Sequence, residues 1–555
     1  MKQKTDQGKN NVQGGVRKSM SWLHTWVGLV LSVVLYFMFI TGSFGYFNHE
    51  IDRWMRPELP TTSALPPANQ MVESAAARLQ ARMPDAKAWY VSFPAGRAAQ
   101  ALSIYGEPKE LANGKTPDAL EERLDPATGL PFVGVRKTGG GDLLYRMHYS
   151  LHYVPYNIAV YIVGLATMFM LIAIATGVVV HKKIFKDFFT FRPAKGQRSW
   201  LDAHNLSSVM ALPFFVVITY SGLVFYTFDY LPSVKWAAYG FGEKGNKAFE
   251  RERTANEADV EPSGRAAPLV ALAPLVAQAE ARWGSGKVAY LTVSHPGDAN
   301  ARVHIEQSSR DKVTRSAETL VFDGTNGVLL KHRSADTHTA DDVFASVMLA
   351  LHEGHFAAPL LRWIYFASGL LGAAMIATGL VLWSSKRRQK LRADEPAAAG
   401  LRFVEHFNVG IIVGLPMAVA AYFWANRLLP AAWEARADWE MHVLFSTWAL
   451  ALLHAALRPL QRAWQEQLWA TAALFALLPV INAATTRIHL GRTLPAGDWV
   501  LVGFDVMALV TAAATAAVAA NLHRRGKRMT LTRFGGEATA ASGGEATATP
   551  LRATV

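Results

Sequence analysis

Eight stretches of this 555-residue chain are too long and too apolar for an ordinary soluble core, at about 22–47, 155–180, 204–228, 361–383, 405–425, 441–457, 466–485 and 498–521. At about 1.5 Å per helical residue, roughly 20 such residues cross a hydrocarbon layer about 30 Å thick. Backbone polar groups in lipid must be satisfied within the segment, so the runs predict membrane-spanning helices.

The basic residues orient those helices. Lys182, Lys183, Lys186, Arg192, Lys195 and Arg198 follow the second run, Lys386, Arg387, Arg388, Lys390 and Arg392 the fourth, and Arg524, Arg525, Lys527 and Arg528 the eighth. Loops rich in Lys and Arg stay cytoplasmic, which places Arg17, Lys18 and both termini on that side. Much of the net charge of +13 is therefore topological, suited to anionic lipid head groups, and calls for no nucleic acid. The chain has no cysteine, which excludes disulfides, thiolate zinc sites, cysteine-held iron–sulfur clusters and haem attached through Cys-x-x-Cys-His. The first run is too long for a signal-peptide core and reads as an uncleaved anchor.

Within the first run, Trp22-Leu23-His24-Thr25-Trp26-Val27-Gly28 sets an ionisable ring in the opening turn, a placement costly in lipid without a partner. Trp200-Leu201-Asp202-Ala203-His204 opens the third run the same way, and in each case the seventeenth and eighteenth residues after the histidine are hydroxyl then glycine, Thr41-Gly42 and Ser221-Gly222. Ala175-Thr176-Gly177 near the end of the second run is answered by Ala377-Thr378-Gly379 near the end of the fourth. The segments between these runs share a grammar too. Pro66 to Met83 reads as an amphipathic helix, Ala88 to Phe93 and Gln100 to Tyr105 as strands, with a turn at Asp125-Pro126-Ala127-Thr128-Gly129. In the later segment Pro268 to Trp283 reads as a helix and Val288 to Val293 and Ala301 to Gln307 as strands, and Thr319 to Leu330 contains Asp323 and Gly327 at the same turn spacing. The expected organisation is a tail (1–21), a first repeat (22–181), a basic loop (182–203), a second repeat (204–384), a basic loop (385–404), a four-span extension (405–521) and a disordered tail (522–555).

The W-L-H-x-W-x-G start, the D-x-x-T/N-G turns, the T-G pairs and the His181-Lys182-Lys183-Ile184-Phe185-Lys186-Asp187-Phe188-Phe189 tail resemble the PepSY-associated transmembrane proteins over about residues 17–390. That family includes iron-regulated inner-membrane proteins and ferric-siderophore reductases with b-type haem. The resemblance implies a mainly α membrane protein of the bacterial inner membrane, with about eight transmembrane helices, two periplasmic α+β PepSY-like modules and internal duplication of the first four spans. The four additional spans and the divergence at Asn205 and Leu206 depart from the smaller reductases.

Histidines gather at two depths. His24, His204 and His181 lie toward the inner side; His148, His152, His352 and His355 lie toward the outer side. Neutral imidazoles from facing helices fill both axial positions of a haem iron. The repeat suggests His24 with His204 on an inner haem b and, by matching Leu151-His152 to Leu351-His352, His152 with His352 on an outer one, with His148 and His355 as alternatives. The plain reading of any one of them is a solvated or carbonyl-bonded interfacial histidine, and His181 also suits a helix C-terminus. His352-Glu353-Gly354-His355 lacks the spacing of a zinc-protease helix. Trp54, Arg56, Trp89, Tyr90, Tyr145, Arg146, Tyr149, Tyr153 and Tyr156 offer an aromatic, basic mouth, although Trp and Tyr also belong at membrane interfaces for their own reasons.

The reading reached is a haem b electron-transfer protein, a ferric-chelate reductase by type, taking electrons from quinol or a cytoplasmic reductase to a ferric siderophore. One alternative is a membrane anchor whose modules restrain a periplasmic protease; another is a transporter of the iron complex, for which Asp505 is the one clear intramembrane carboxylate and Glu405 lies at an end.

Overall fold

The computed structural model describes residues 2–60, 65–94, 101–110, 114–181, 190–193, 195–254, 260–334, 339–391 and 396–542. Lys182, Lys183, Lys186 and most of the His181–Phe189 tail lie outside the described residues, as does Arg392. The chain forms two compact units, residues 1–396 with 429–439, and 397–428 with 440–555.

In the first unit the long helices are α1 (Lys2–Gly45), α5 (Tyr156–Val180), the pair α6 (Gln197–Met210) and α7 (Leu212–Val224), and α10 (Pro359–Arg388). Shorter helices α2 (Asn48–Met55), α3 (Ala68–Arg82), α4 (Gly140–Ser150), α8 (Ala273–Trp283) and α9 (Ala340–Glu353) lie between them. The second unit is built on α11 (Ala399–Ile412), α12 (Gly414–Leu428), α13 (Arg436–Leu457), α14 (Leu460–Thr485) and α15 (Trp499–Ser542). Among the described residues seven helices are long and apolar enough to cross a membrane, or eight when the bent α6–α7 pair is counted as one span. Helix α1 runs unbroken from Lys2 and α15 on to Ser542, as an apolar helix already nucleated can propagate.

The third span is not the straight 204–228 segment expected. It starts at Gln197, breaks at Ala211 and bends by 66°. Pro213 sits just past the break; its missing N–H and its ring deny the helix the bond back to the preceding turn. The hydroxyl of Ser208, turned onto the carbonyl of His204 at 2.6 Å, loosens the same turn.

The two soluble segments do not fold as separate modules. Strands β1 (Ala88–Ser92), β2 (Leu102–Glu107), β3 (Leu120–Leu124), β4 (Val288–Ser294), β5 (Arg302–Gln307), β6 (Thr319–Asp323) and β7 (Leu329–Arg333) form one antiparallel sheet in the order β3-β2-β1-β4-β5-β6-β7. Its seam is β1 on β4, with Trp89 opposite Val293 and Val91 opposite Leu291. Alternate residues face a core completed by α3 and α8: Val72 and Leu79 from one, Val276 from the other, over Trp89, Ile104, Leu291, Ile305 and Phe322. Each such side chain contributes about 1.5–3 kcal/mol by burial, and the Trp89 indole N–H is satisfied by the Met83 carbonyl at 2.9 Å.

Both expected turns form. Gly129 at φ 68° and Gly327 at φ 75° return their N–H groups to the carbonyls of Asp125 and Asp323, at 2.8 and 2.9 Å. Gly139 caps the start of α4, and a Cβ on Gly141 in its first turn would collide with the backbone of Asn48. That contact seats α4, and His148 with it, beside the end of α1.

Candidate functional site

Two imidazole pairs stand at opposite ends of the helices of the first unit. At the end rich in Lys18, Lys386, Arg387 and Lys390, His24 of α1 faces His204 of α6, with ring centroids 6.3 Å apart. At the sheet end, His148 of α4 faces His352 of α9 at 6.0 Å. Two imidazoles that bound one metal ion, each nitrogen about 2 Å from it, would set their centroids about 6 Å apart.

In all four rings Nδ1 is engaged. It lies 3.0 Å from the Ala173 carbonyl in His24, 2.8 Å from that of Met375 in His204 and 2.7 Å from that of Met38 in His148. A carbonyl only accepts, so Nδ1 carries the proton and Nε2 the lone pair. His352 reaches the same state differently: Ser221 spends its own proton on the Val217 carbonyl at 2.6 Å and accepts from Nδ1 at 3.0 Å. Among the described residues nothing bonds Nε2 of these four rings. A ring N–H given to a carbonyl or hydroxyl fixes the tautomer and the orientation of a histidine, leaving Nε2 free to bind a metal. Burial pushes His352 down to about 3, with His148 beside it adding, and burial also lowers His148 against the pull of the Met38 carbonyl. Both rings are therefore neutral.

Each ring also has a glycine seat. A Cβ on Gly177 would lie 3.3 Å from His24, on Gly379 3.2 Å from His204, on Gly222 3.1 Å from His352 and on Gly42 2.5 Å from His148. These are the glycines of the four hydroxyl-glycine pairs, so the motif holds a histidine contributed by another helix. Gly28 differs: it lines the cavity at the basic end with nothing within 4 Å of its would-be Cβ, leaving the backbone open to a flat ligand.

Each pair borders a cavity. The one at the basic end, about 1360 Å³, is lined by His24, His204, Trp22, Trp26 and Gly28. The one at the sheet end, about 660 Å³, is lined by His148, His352, Tyr145, Tyr149, Arg310 and Arg315. Ligand pockets run to about 300–1,000 Å³, so both have room for a macrocycle. Leu35 and Met170 line both cavities, and the edge-to-face rings of Phe39 and Phe215, 5.8 Å apart, pack nearby.

The other candidate histidines lie outside the two facing pairs, although His355 lines the sheet-end cavity. The fold sets His148, not His152, across from His352; His152 lies beyond the helix end with its ring on Tyr153 at 4.3 Å. The cause is the helix terminus, since α4 stops at Ser150 with Leu151 at φ 47° while α9 runs on to Glu353 with Gly354 at φ 62°. Matching the first histidine of His148-x-x-x-His152 to the first of His352-x-x-His355, one residue shorter, would have found the pair. His355 is exposed, 3.5 Å from Glu353. His181 forms the C-cap of α5 and borders the basic-end cavity. Of the expected mouth, Tyr145, Tyr149 and Tyr156 line the sheet-end cavity, whereas Trp54, Trp89 and Arg56 are buried, Arg56 in an ion pair with Asp52.

In the second unit the sequence points to Asp505 and Glu405, both buried, and burial adds Glu440 and Arg427. Asn482 donates to Asp505 at 3.2 Å and accepts from Arg427 at 2.9 Å, while Asn426 donates to Glu440 at 2.8 Å. The signal available was spacing: Asn426-Arg427 and Asn482 lie near the C-terminal ends of α12 and α14, and Glu440 and Asp505 near the N-terminal ends of α13 and α15, ends that the hydrogen bonds show to meet.

Helices long and apolar enough to cross a membrane, an antiparallel sheet formed by the segments between them and histidines at both ends define a class. The family description "PepSY-associated TM region" matches residues 21–386, and the chain belongs to that family. It is similar to an uncharacterized protein of Pseudomonas aeruginosa, 26% identical over 376 residues that cover 64% of this chain and 89% of that protein. The family match ends before the second unit begins at Ala397.

Proposed function

We propose that this protein is a haem b electron carrier of the bacterial inner membrane that reduces a ferric chelate, such as a ferric siderophore, on the sheet side. The observation that carries the reading is the pair of imidazole couples, 6.3 and 6.0 Å between centroids, at opposite ends of one helix bundle. His24 with His204 would hold one haem b and His148 with His352 a second. Bound haem supplies one-electron exchange; the protein supplies ligation, spacing and the walls. Nδ1–H bonds fix the rings, the glycine seats set their depth, and Leu35 and Met170 separate the two cavities. The sheet-end cavity, with Arg310, Arg315, Tyr145 and Tyr149 on its walls, is the place for the chelate, and the wider basic-end cavity faces the donor, a quinol or a cytoplasmic reductase. The reciprocal seating, in which the hydroxyl-glycine of each span holds a histidine of another, supports internal duplication of the first four spans. The basic residues support a cytoplasmic His24 end and a periplasmic sheet.

The test is a reduced-minus-oxidised spectrum of the purified full chain, expressed with haem in supply and with haem counted per chain. Two b-type haems per chain are expected. A chain that takes up no reducible b-type haem overturns the reading.

A further inference from the structure

Between α7 and the second group of strands, residues 227–254 form three short helices, Thr227–Tyr230, Pro232–Tyr239 and Gly242–Thr254. Their packing is the reverse of the sheet's. Leu231, Val234 and Phe241 are 55%, 57% and 79% exposed, although large apolar side chains in the sheet core are covered. What core the segment has is Phe249, whose ring meets Phe228 at 4.8 Å and Tyr239 at 5.3 Å beneath the Lys235 ammonium. The exposed side chains lie outside it, with Trp236 and Phe241 paired at 5.3 Å.

The root of the segment fixes its depth. Tyr230 donates its hydroxyl to the Val160 carbonyl of α5 at 3.2 Å, and its ring fills a notch at Gly164 that any Cβ would block. Gly164 lies eight residues into a membrane helix that begins at Tyr156, about 12 Å along its axis. The segment is thus rooted within the length of a membrane helix, not above it. At that depth an outward apolar side chain meets the boundary of head groups and acyl chains, where Trp and Tyr also concentrate.

We propose that residues 227–254 are an interfacial paddle that inserts Leu231, Val234, Trp236 and Phe241 into the lipid leaflet on the sheet side. The occupant of this apolar surface is the bilayer itself. Lys235, Lys244, Lys247, Arg251 and Arg253 are nearly balanced by Asp229, Glu243, Glu250 and Glu252, so apolar burial and not attraction to anionic lipid holds the paddle down. The inference does not depend on haem.

The absence of native cysteine allows single labels on the full chain. Nitroxides at Val234→Cys and Phe241→Cys would be compared, in phosphatidylcholine vesicles, with Leu165→Cys on the exposed face of α5 and Glu121→Cys on the exposed edge strand. All four positions are exposed, so folding is little disturbed. The expected result is oxygen collision matching the Leu165 site and collision with a water-soluble nickel chelate severalfold below the Glu121 site, unchanged by high salt or added phosphatidylglycerol. Nickel collision equal to the Glu121 site overturns the proposal, as does low collision with both reagents, which would mean a protein cover. A marked response to phosphatidylglycerol or salt overturns the claim that apolar insertion holds the paddle.

Discussion

The imidazole of His148 packs against Gly42 so closely that a methyl group there would fall 2.5 Å from Nδ1. The same seat at Gly177 is looser, with His24 at 3.3 Å. Gly42→Ala must therefore displace its histidine, whereas Gly177→Ala asks for a few tenths of an ångström. Haem per chain is expected to fall from two to one in Gly42→Ala and to stay at two, with a shifted spectrum, in Gly177→Ala. Haem assay with low-temperature difference spectra checks both; equal loss from the two variants would contradict the graded seats.

The ligand assignment separates neighbours four residues apart. His148→Ala and His352→Ala are expected to remove the same spectral component, His24→Ala and His204→Ala the other, and His152→Ala neither. Loss of a haem from His152→Ala with retention in His148→Ala would return the assignment to the one that Leu-His matching suggests.

Phe215 is fully buried at the wall between the cavities and meets Phe39 edge to face. Phe215→Ala is expected to cost about 3–5 kcal/mol of stability, whereas Phe215→Leu keeps most of the volume. In Phe215→Leu both haem spectra should persist while electron equilibration between the pairs slows, as read by stopped-flow reduction. An unchanged rate would show that this wall does not set the spacing.

Asp298 carries the clearest pH dependence outside the membrane. Its carboxylate accepts from the Asn300 amide at 2.7 Å, then from the Ser263 amide and hydroxyl and the Gly264 amide, which hold its pKa well below the usual carboxylate range. A pKa lower in the folded than in the unfolded chain gives stability that is full above the unfolded value, about 4, and is lost as the pH falls further. Thermal melts of the full chain should therefore fall in Tm below about pH 4, and Asp298→Asn should lower Tm at neutral pH and flatten that fall. Parallel pH curves for the two proteins would rule this out.

In the second unit Asn482 joins Arg427 to Asp505. Removing one partner strands a buried charge, so Asp505→Ala is expected to cost about 3–5 kcal/mol, with Asp505→Asn milder. Detergent-solubilised yield and thermal stability check this, and haem in the first unit should be retained.

The spans were legible because apolar length is a local property, and His24 and His204 because each opens its run at the same distance from a hydroxyl-glycine pair. The outer pairing was hidden because it depends on where α4 stops, and Leu151 enters the left-handed region without being a glycine. The bend at Ala211 was written in Pro213, inside a run otherwise read only for hydropathy. The union of the two soluble segments was illegible because β1 and β4 are separated by about two hundred residues, and strand periodicity names a face, not a neighbour. The role of the four glycines lies in rings from other helices that rest on them, which no local pattern states.

The ladder from Trp89–Val293 to Val91–Leu291 makes the polypeptide a loop fastened at a second point. A protease cut between Val180 and Gln197 would leave both fragments attached, and genes for residues before and after that site, expressed apart, should yield pieces that find each other. A reductant-insensitive clasp of main-chain bonds thus does for this cysteine-free chain what a cross-link does elsewhere.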